Sequence, residues 1–332
     1  MGPVYAALIE KAGGWRSIYW ALGALALVLL LLAIGGLEES RSEAPRKLDL
    51  FGVLTLASGA SCLIAGLSEG RHGWGRSIVI ELLVIGVVLL LAFVLVEAKV
   101  SEPMLDLALF RNPGFIASSG GALFTGLAIV GLMSYLPTVL QKSLGETPLA
   151  ASGVLAIWSG LSVISALQAR RLATRMAATT QVAASLLLCG IGEAILYGIN
   201  AGGSWTHLVP GLVVAGIGSG VLNSALARLA VSSVPANRAA MGSGANNSAR
   251  YLGSALGVAI VVTVVSQGKS VKGPAAAMAS GTNSAVLIAA AFCLLGAIIA
   301  FWARMAESRA ARNETASAEA VQPVEPRVAS AN

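Results

Sequence analysis

With 332 residues, 56% of them hydrophobic and only 11% charged, and a mean hydropathy of +0.79, the chain is far too apolar for a soluble globular domain. Its formal net charge of +6 does not point to nucleic acid, because the basic residues stand singly in loops instead of clustering on one polar element. Cys62, Cys189 and Cys293 sit in three different apolar segments, and His72 and His207 lie in separate loops, so no disulfide framework, metal site, cofactor site or Ser/His/Asp cluster can be read.

The first nine residues, MGPVYAALI, are apolar but too short to cross a bilayer, and they read as the outer half of a helix followed by an outer loop, Glu10 to Arg16. Nine longer apolar segments follow, at 17–37, 50–68, 77–97, 114–137, 150–168, 177–199, 208–230, 249–267 and 283–305. A hydrocarbon core of roughly 30 Å needs about 20 helical residues, and a helix satisfies its own backbone polar groups away from water. The predicted fold is therefore all-α, a polytopic helical membrane protein. A signal peptide explains 17–37 less well, because its apolar run is long and lacks a clean small-residue cleavage site.

Within these segments Gly120, Gly121, Gly126 and Gly131, and again Gly216, Gly218 and Gly220, let neighbouring helices approach closely. Pro137 and Pro210 read as boundaries near outer helix ends. Fifteen of the 22 basic residues, Arg111, Arg170, Arg228, Arg238 and Arg250 among them, fall on one side of the predicted layout. The positive-inside bias places that side, with the C-terminus, in the cytoplasm of a multi-pass protein of the cell (inner or plasma) membrane. Residues 306–332 mix Ala, Glu, Ser, Pro and Arg without apolar periodicity and read as a disordered cytoplasmic tail.

Several stretches between and within the spans are recognisable together. They are Gly2-Pro3 with Gly14-Trp15-Arg16; Asp49-x-x-Gly52 with Gly66-Leu67, Gly70 and Gly73-Trp74; and EPMLDLALFRNPGF from Glu102 to Phe115. Leu136-Pro137 with Gln141, Gly145 and Pro148 follows, then Pro210 with Gly216-x-Gly218-x-Gly220. The last stretch runs through Pro235, Arg238, Gly242, Asn246, Arg250, Leu252-Gly253, Leu256-Gly257 and Ala259. In this order and spacing, the chain resembles the major facilitator superfamily, specifically the fourteen-helix drug:proton antiporters of the EmrB/QacA type, across residues 1–305.

That resemblance carries implications for organisation. The nine spans look like helices 6 to 14, so the chain reads as N-terminally truncated, lacking helices 1 to 4 and most of 5. Residues 1–37 would be a remnant of the N-terminal bundle, 38–98 the linker helices 7 and 8, and 99–305 the C-terminal six-helix bundle. Alternating access rocks one bundle against the other around a midplane site. A missing N-terminal half is thus an implied partner, together with the lipid bilayer, protons and an amphipathic small-molecule substrate, cations among them; nucleic acid is not.

The resemblance also assigns residues. Gly2, Pro3, Arg250 and Gly253 carry transport motifs, and Phe124, Trp158 and Asn223 are the candidates for the substrate cavity. Proton coupling needs a titratable carboxyl in the path, which the family places on helix 1. Glu193 is the one acidic residue well inside a span and is the weak candidate here, its structural reading being a packed or snorkelling glutamate on an outer-rim helix. Two departures from the pattern are Ala6-Ala7 where paired glycines are usual, and Thr174 and Ala177 where a carboxylate and a turn glycine are usual. The expected function is proton-coupled multidrug efflux by a transporter and not an enzyme; a non-transporting membrane remnant or scaffold needing a partner half is the alternative.

Overall fold

The computed structural model describes residues 2–36, 49–100 and 103–321. All regular structure among them is helical, and nine helical stretches are long and apolar enough to cross a membrane. Helix α1 (Gly2–Gly13) leads into α2 (Trp15–Gly36), and α3 (Leu50–Glu69) and α4 (Ser77–Lys99) form a hairpin. A single span is built from α5 (Pro113–Phe124), a π-helical stretch over Thr125–Val130, and α6 (Gly131–Lys142). It is followed by α7 (Pro148–Ala173), α8 (Ala178–Ile195), α9 (Val209–Ser232), α10 (Ala239–Ser266) and α11 (Pro274–Val321).

Local chemistry sets the helix starts. Asp49 caps α3 by accepting from the Gly52 N–H at 2.8 Å, Asn112 caps α5 by accepting from Gly114 at 2.9 Å, and Thr147 caps α7. Pro113 and Pro148 each sit at a first helical position, where the missing N–H costs nothing.

The span of α5 and α6 packs with α7, α8, α9 and α11 around one apolar core, whose fully enclosed members include Leu132, Leu186, Leu212 and Leu222, while Val261 and Val265 of α10 pack with Ala285 of α11 in a smaller cluster. Glycine decides the closest crossings. A Cβ on Gly126 would fall on the backbone of Arg250 and Ser254, one on Gly131 would lie 2.7 Å from Gly257, and one on Gly253 would meet the Leu123 carbonyl. The π-helical stretch and α10 therefore touch backbone to backbone. The α3/α4 hairpin leans on α10, with Thr263 donating to the Leu67 carbonyl at 2.8 Å, and α1 lies against α7.

The structure corrects the sequence reading at four places. The expected outer loop from Glu10 to Arg16 shrinks to Gly14, whose φ of 77° turns the chain directly from α1 into α2. Pro137 does not end its span, since α6 continues to Lys142. The expected disordered tail is helical as far as Val321, in keeping with its Ala, Glu and Arg content; residues 322–332 lie outside the described residues.

The fourth correction matters most for function. Helix α10 starts at Ala239, ten residues before the predicted span, although AAMGSGANNSAR has the Gly, Ser and Asn content of a loop. Tertiary bonding offsets the weak propensity: Asn246 is buried and donates to the Ser118 carbonyl at 3.1 Å and to its Oγ at 3.0 Å, while Gly242 lies against Ala230. Arg250, placed from sequence at the cytoplasmic end of the 249–267 span, thus has eleven residues of helix before it.

Candidate functional site

One row of polar side chains runs from α7 across α9 to α10 on a partly exposed face of the bundle. On α7, the Trp158 indole Nε1 donates to Ser219 Oγ on α9 at 3.1 Å. One turn along α9, Asn223 donates from Nδ2 to the Ser219 carbonyl at 2.9 Å, which fixes the amide and turns its Oδ1 outward. Arg250 on α10 donates from Nη1 to that Oδ1 at 3.3 Å and from Nη2 to Asn247 Oδ1 at 2.9 Å. The guanidinium also lies 5.7 Å from the centre of the Tyr251 ring.

Helix geometry explains why these groups meet. Ser219 and Asn223 are four residues apart on α9, and Asn247 and Arg250 three apart on α10, so each pair shares a face. Glycines bring α7 and α9 together at this level: a Cβ on Gly216 would lie 2.7 Å from the Trp158 carbonyl, and one on Gly220 would strike the backbone of Ser162. Trp158, Asn223 and Arg250 all remain partly exposed, unlike the core leucines around them.

Of the residues singled out from sequence, Trp158, Asn223 and Arg250 are brought together. Gly253 lies one turn from Arg250 and serves the backbone contact with Leu123. Phe124 is elsewhere: its ring centre is 6.4 Å from that of Phe292 on α11, and its side chain fills the space over Gly296, so it packs within the bundle and not in the polar row. Gly2 and Pro3 lie in the first turn of α1.

Glu193 is fully enclosed, with no exposed surface, so the snorkelling reading is wrong. It sits two residues from the end of α8 and not six, and accepts a bond from the Cys293 thiol at 3.5 Å across the α8/α11 contact. Ser219 and Asn247 were missed by sequence reasoning. The spacing of Ser219 to Asn223 and of Asn247 to Arg250 was the available signal. A separate cavity of about 720 Å³ opens between α3 and α10, lined by Val53, Leu56, Phe93, Ser119, Met241 and Leu252, and is almost wholly apolar.

A bundle of membrane-crossing helices joined at glycine seams, with polar groups from three of them meeting in one partly exposed row, fits a small-molecule carrier. The family comparison agrees, with the Major Facilitator Superfamily model matching residues 1–258. The chain belongs to the major facilitator superfamily. This is a family of membrane transporters, which points away from catalysis.

Among similar proteins is the puromycin resistance protein pur8 of Streptomyces alboniger, 31% identical over 98% of this chain and 67% of the relative. The multidrug resistance protein Stp of Mycobacterium tuberculosis is 29% identical over 80% of this chain and 49% of the relative. The probable actinorhodin transporter of Streptomyces coelicolor is 27% identical over 80% and 48% respectively. This facilitator chain thus spans about two thirds of the first relative's length and about half of the other two.

Proposed function

We propose that this chain serves the export of amphipathic small molecules across the cell membrane in exchange for protons, as one part of a two-bundle carrier of the fourteen-helix antiporter type. The observation that carries the reading is the polar row from Trp158 through Ser219 and Asn223 to Arg250, set inside membrane-spanning helices. Relatives named for resistance and export favour transport over a scaffold role.

In this reading α5 to α11 form the rocking C-terminal bundle, α3 and α4 are the linker pair, and α1 and α2 belong to the opposing bundle. Alternating access needs that second bundle to complete the cavity. The proton-coupling carboxylate comes from it as well, since Glu193 is sealed between α8 and α11. The C-terminus is cytoplasmic, which a C-terminal fluorescent or phosphatase reporter checks directly.

The test is efflux from everted membrane vesicles of an efflux-deficient bacterium, with and without an imposed proton gradient. The chain is compared alone and extended upstream by the corresponding N-terminal residues of the puromycin resistance relative. Gradient-driven efflux by the extended form alone is expected. Proton-driven transport by the short chain alone would overturn the need for a second bundle, and no transport by either form would overturn the export reading.

A further inference from the structure

Arg250 is a permanent cation eleven residues into α10, where the polar first part of that helix gives way to its apolar run, and an ionised side chain at such a place is a candidate for function. Its recorded hydrogen-bond partners are the side-chain oxygens of Asn223 and Asn247, which are neutral. Neutral amides orient a guanidinium without cancelling its charge. The ion pairs among the described residues join Glu69 to His72 and Arg76, Asp106 to Arg238, and Arg304 to Glu307, none of them in the polar row. Glu193 is fully enclosed at the α8/α11 contact, away from the row, with Oε2 bonded to the Cys293 thiol. The row therefore presents a positive charge with no carboxylate among the described residues to balance it.

Geometry adds shape to that charge. A guanidinium has five N–H donors in a planar fork, and the two bonds to the asparagines leave others for a ligand. Such a fork matches a carboxylate with two parallel charge-assisted bonds. The Trp158 indole, fixed by its bond to Ser219, supplies a flat apolar surface in the same row.

Resting on the export reading above, we infer that Arg250 selects substrates whose polar end is anionic, a carboxylate or acidic phenolate attached to a planar aromatic body, in preference to the amphipathic cations that the family resemblance suggests. Asn223 and Asn247 are positioning residues that aim the fork, and Trp158 takes the ring.

The test uses the chain in lipid nanodiscs, both alone and extended upstream as in the efflux assay, and three probes that share one ring system: 2-naphthoate, 2-naphthamide and 2-naphthylmethylammonium. Titration calorimetry is expected to give a dissociation constant for the carboxylate about tenfold or more below that of the ammonium, with the amide between them. Arg250→Gln should bring the carboxylate and ammonium constants within about twofold of each other, and a thermal melting curve matching wild type shows that the variant is folded. Arg250→Lys should keep the preference for the anion at reduced strength, because charge survives but the bidentate fork does not.

A carboxylate-to-ammonium ratio unaltered by Arg250→Gln, or an ammonium that binds as tightly as the carboxylate, overturns the inference while leaving an exporter of amphipathic molecules standing. Failure of all three probes to bind overturns both the inference and the assignment of the polar row as a substrate site.

Discussion

Arg250 Nη1 lies 3.3 Å from Asn223 Oδ1, so a cation on α10 is aimed by an amide on α9 that is itself held by its own helix through the Ser219 carbonyl. Two helices of the bundle are thereby joined by side chains that both remain partly exposed. A pair that served packing alone would be sealed, as Asn246 and Ser118 are one turn below.

Asn223→Ala removes the aim and leaves the charge. Titration of this variant with 2-naphthoate is expected to show binding several-fold weaker than wild type, and thermal unfolding should show a loss of about 1 kcal/mol for the missing hydrogen bonds. A larger stability loss with unchanged binding would make the amide a structural bond only.

Gly126→Val should be far more damaging than its surface area suggests. The new Cβ would meet the backbone of Arg250 and Ser254, which cannot move aside as a flexible side chain can, so a loss of about 1–3 kcal/mol or more is expected. Gly153→Ala on α7 has open space around the new methyl and removes a helix-interior glycine, so a gain of about 0.5–1 kcal/mol is expected. Circular-dichroism melting of both variants in one detergent checks the contrast.

Much of this architecture is legible in the sequence, for identifiable reasons. Spans such as Ser77–Lys99 carry long apolar runs, and lipid demands length and hydropathy before anything else. What the sequence hides lies where tertiary contacts override composition. The polar start of α10 is helical because Asn246 finds Ser118, and that extension puts Asn247 and Arg250 on one continuous helical face. Trp158 and Asn223 were accessible as polar or aromatic residues at mid-helix. Phe124 was not separable from them by pattern, since only the crossing with α11 shows that its ring meets Phe292. The loop from Glu10 to Arg16 was misread because charge there outweighed the ability of one glycine, Gly14, to make the whole turn.

Glu193→Gln tests whether a sealed carboxyl does more than pack. The side chain has no exposed surface, and its recorded bond is to the Cys293 thiol, so the near-isosteric amide should leave the pH dependence of transport by the upstream-extended chain unchanged. Loss of gradient-driven efflux with normal expression would move proton coupling onto this residue.

Asn112 performs two tasks at the entry to α5: its Oδ1 caps the Gly114 N–H, and its Nδ2 donates to the Ser233 carbonyl after α9 at 2.7 Å. Asn112→Ala is expected to cost about 1–2 kcal/mol in thermal unfolding. Asn112→Asp keeps the cap and loses the donor, so it should fall between wild type and alanine.

Reaction of the Asn223→Cys variant with a membrane-impermeant maleimide, in a Cys62→Ala background, tests most directly whether the polar row faces a transport pathway. The Val163→Cys variant, on a side chain 58% exposed on the apolar flank of α7, is the control. The thiol at position 223 should be modified from the aqueous phase and protected by 2-naphthoate, while that at position 163 stays unmodified. A thiol at 223 as unreactive as that at 163 would contradict the account.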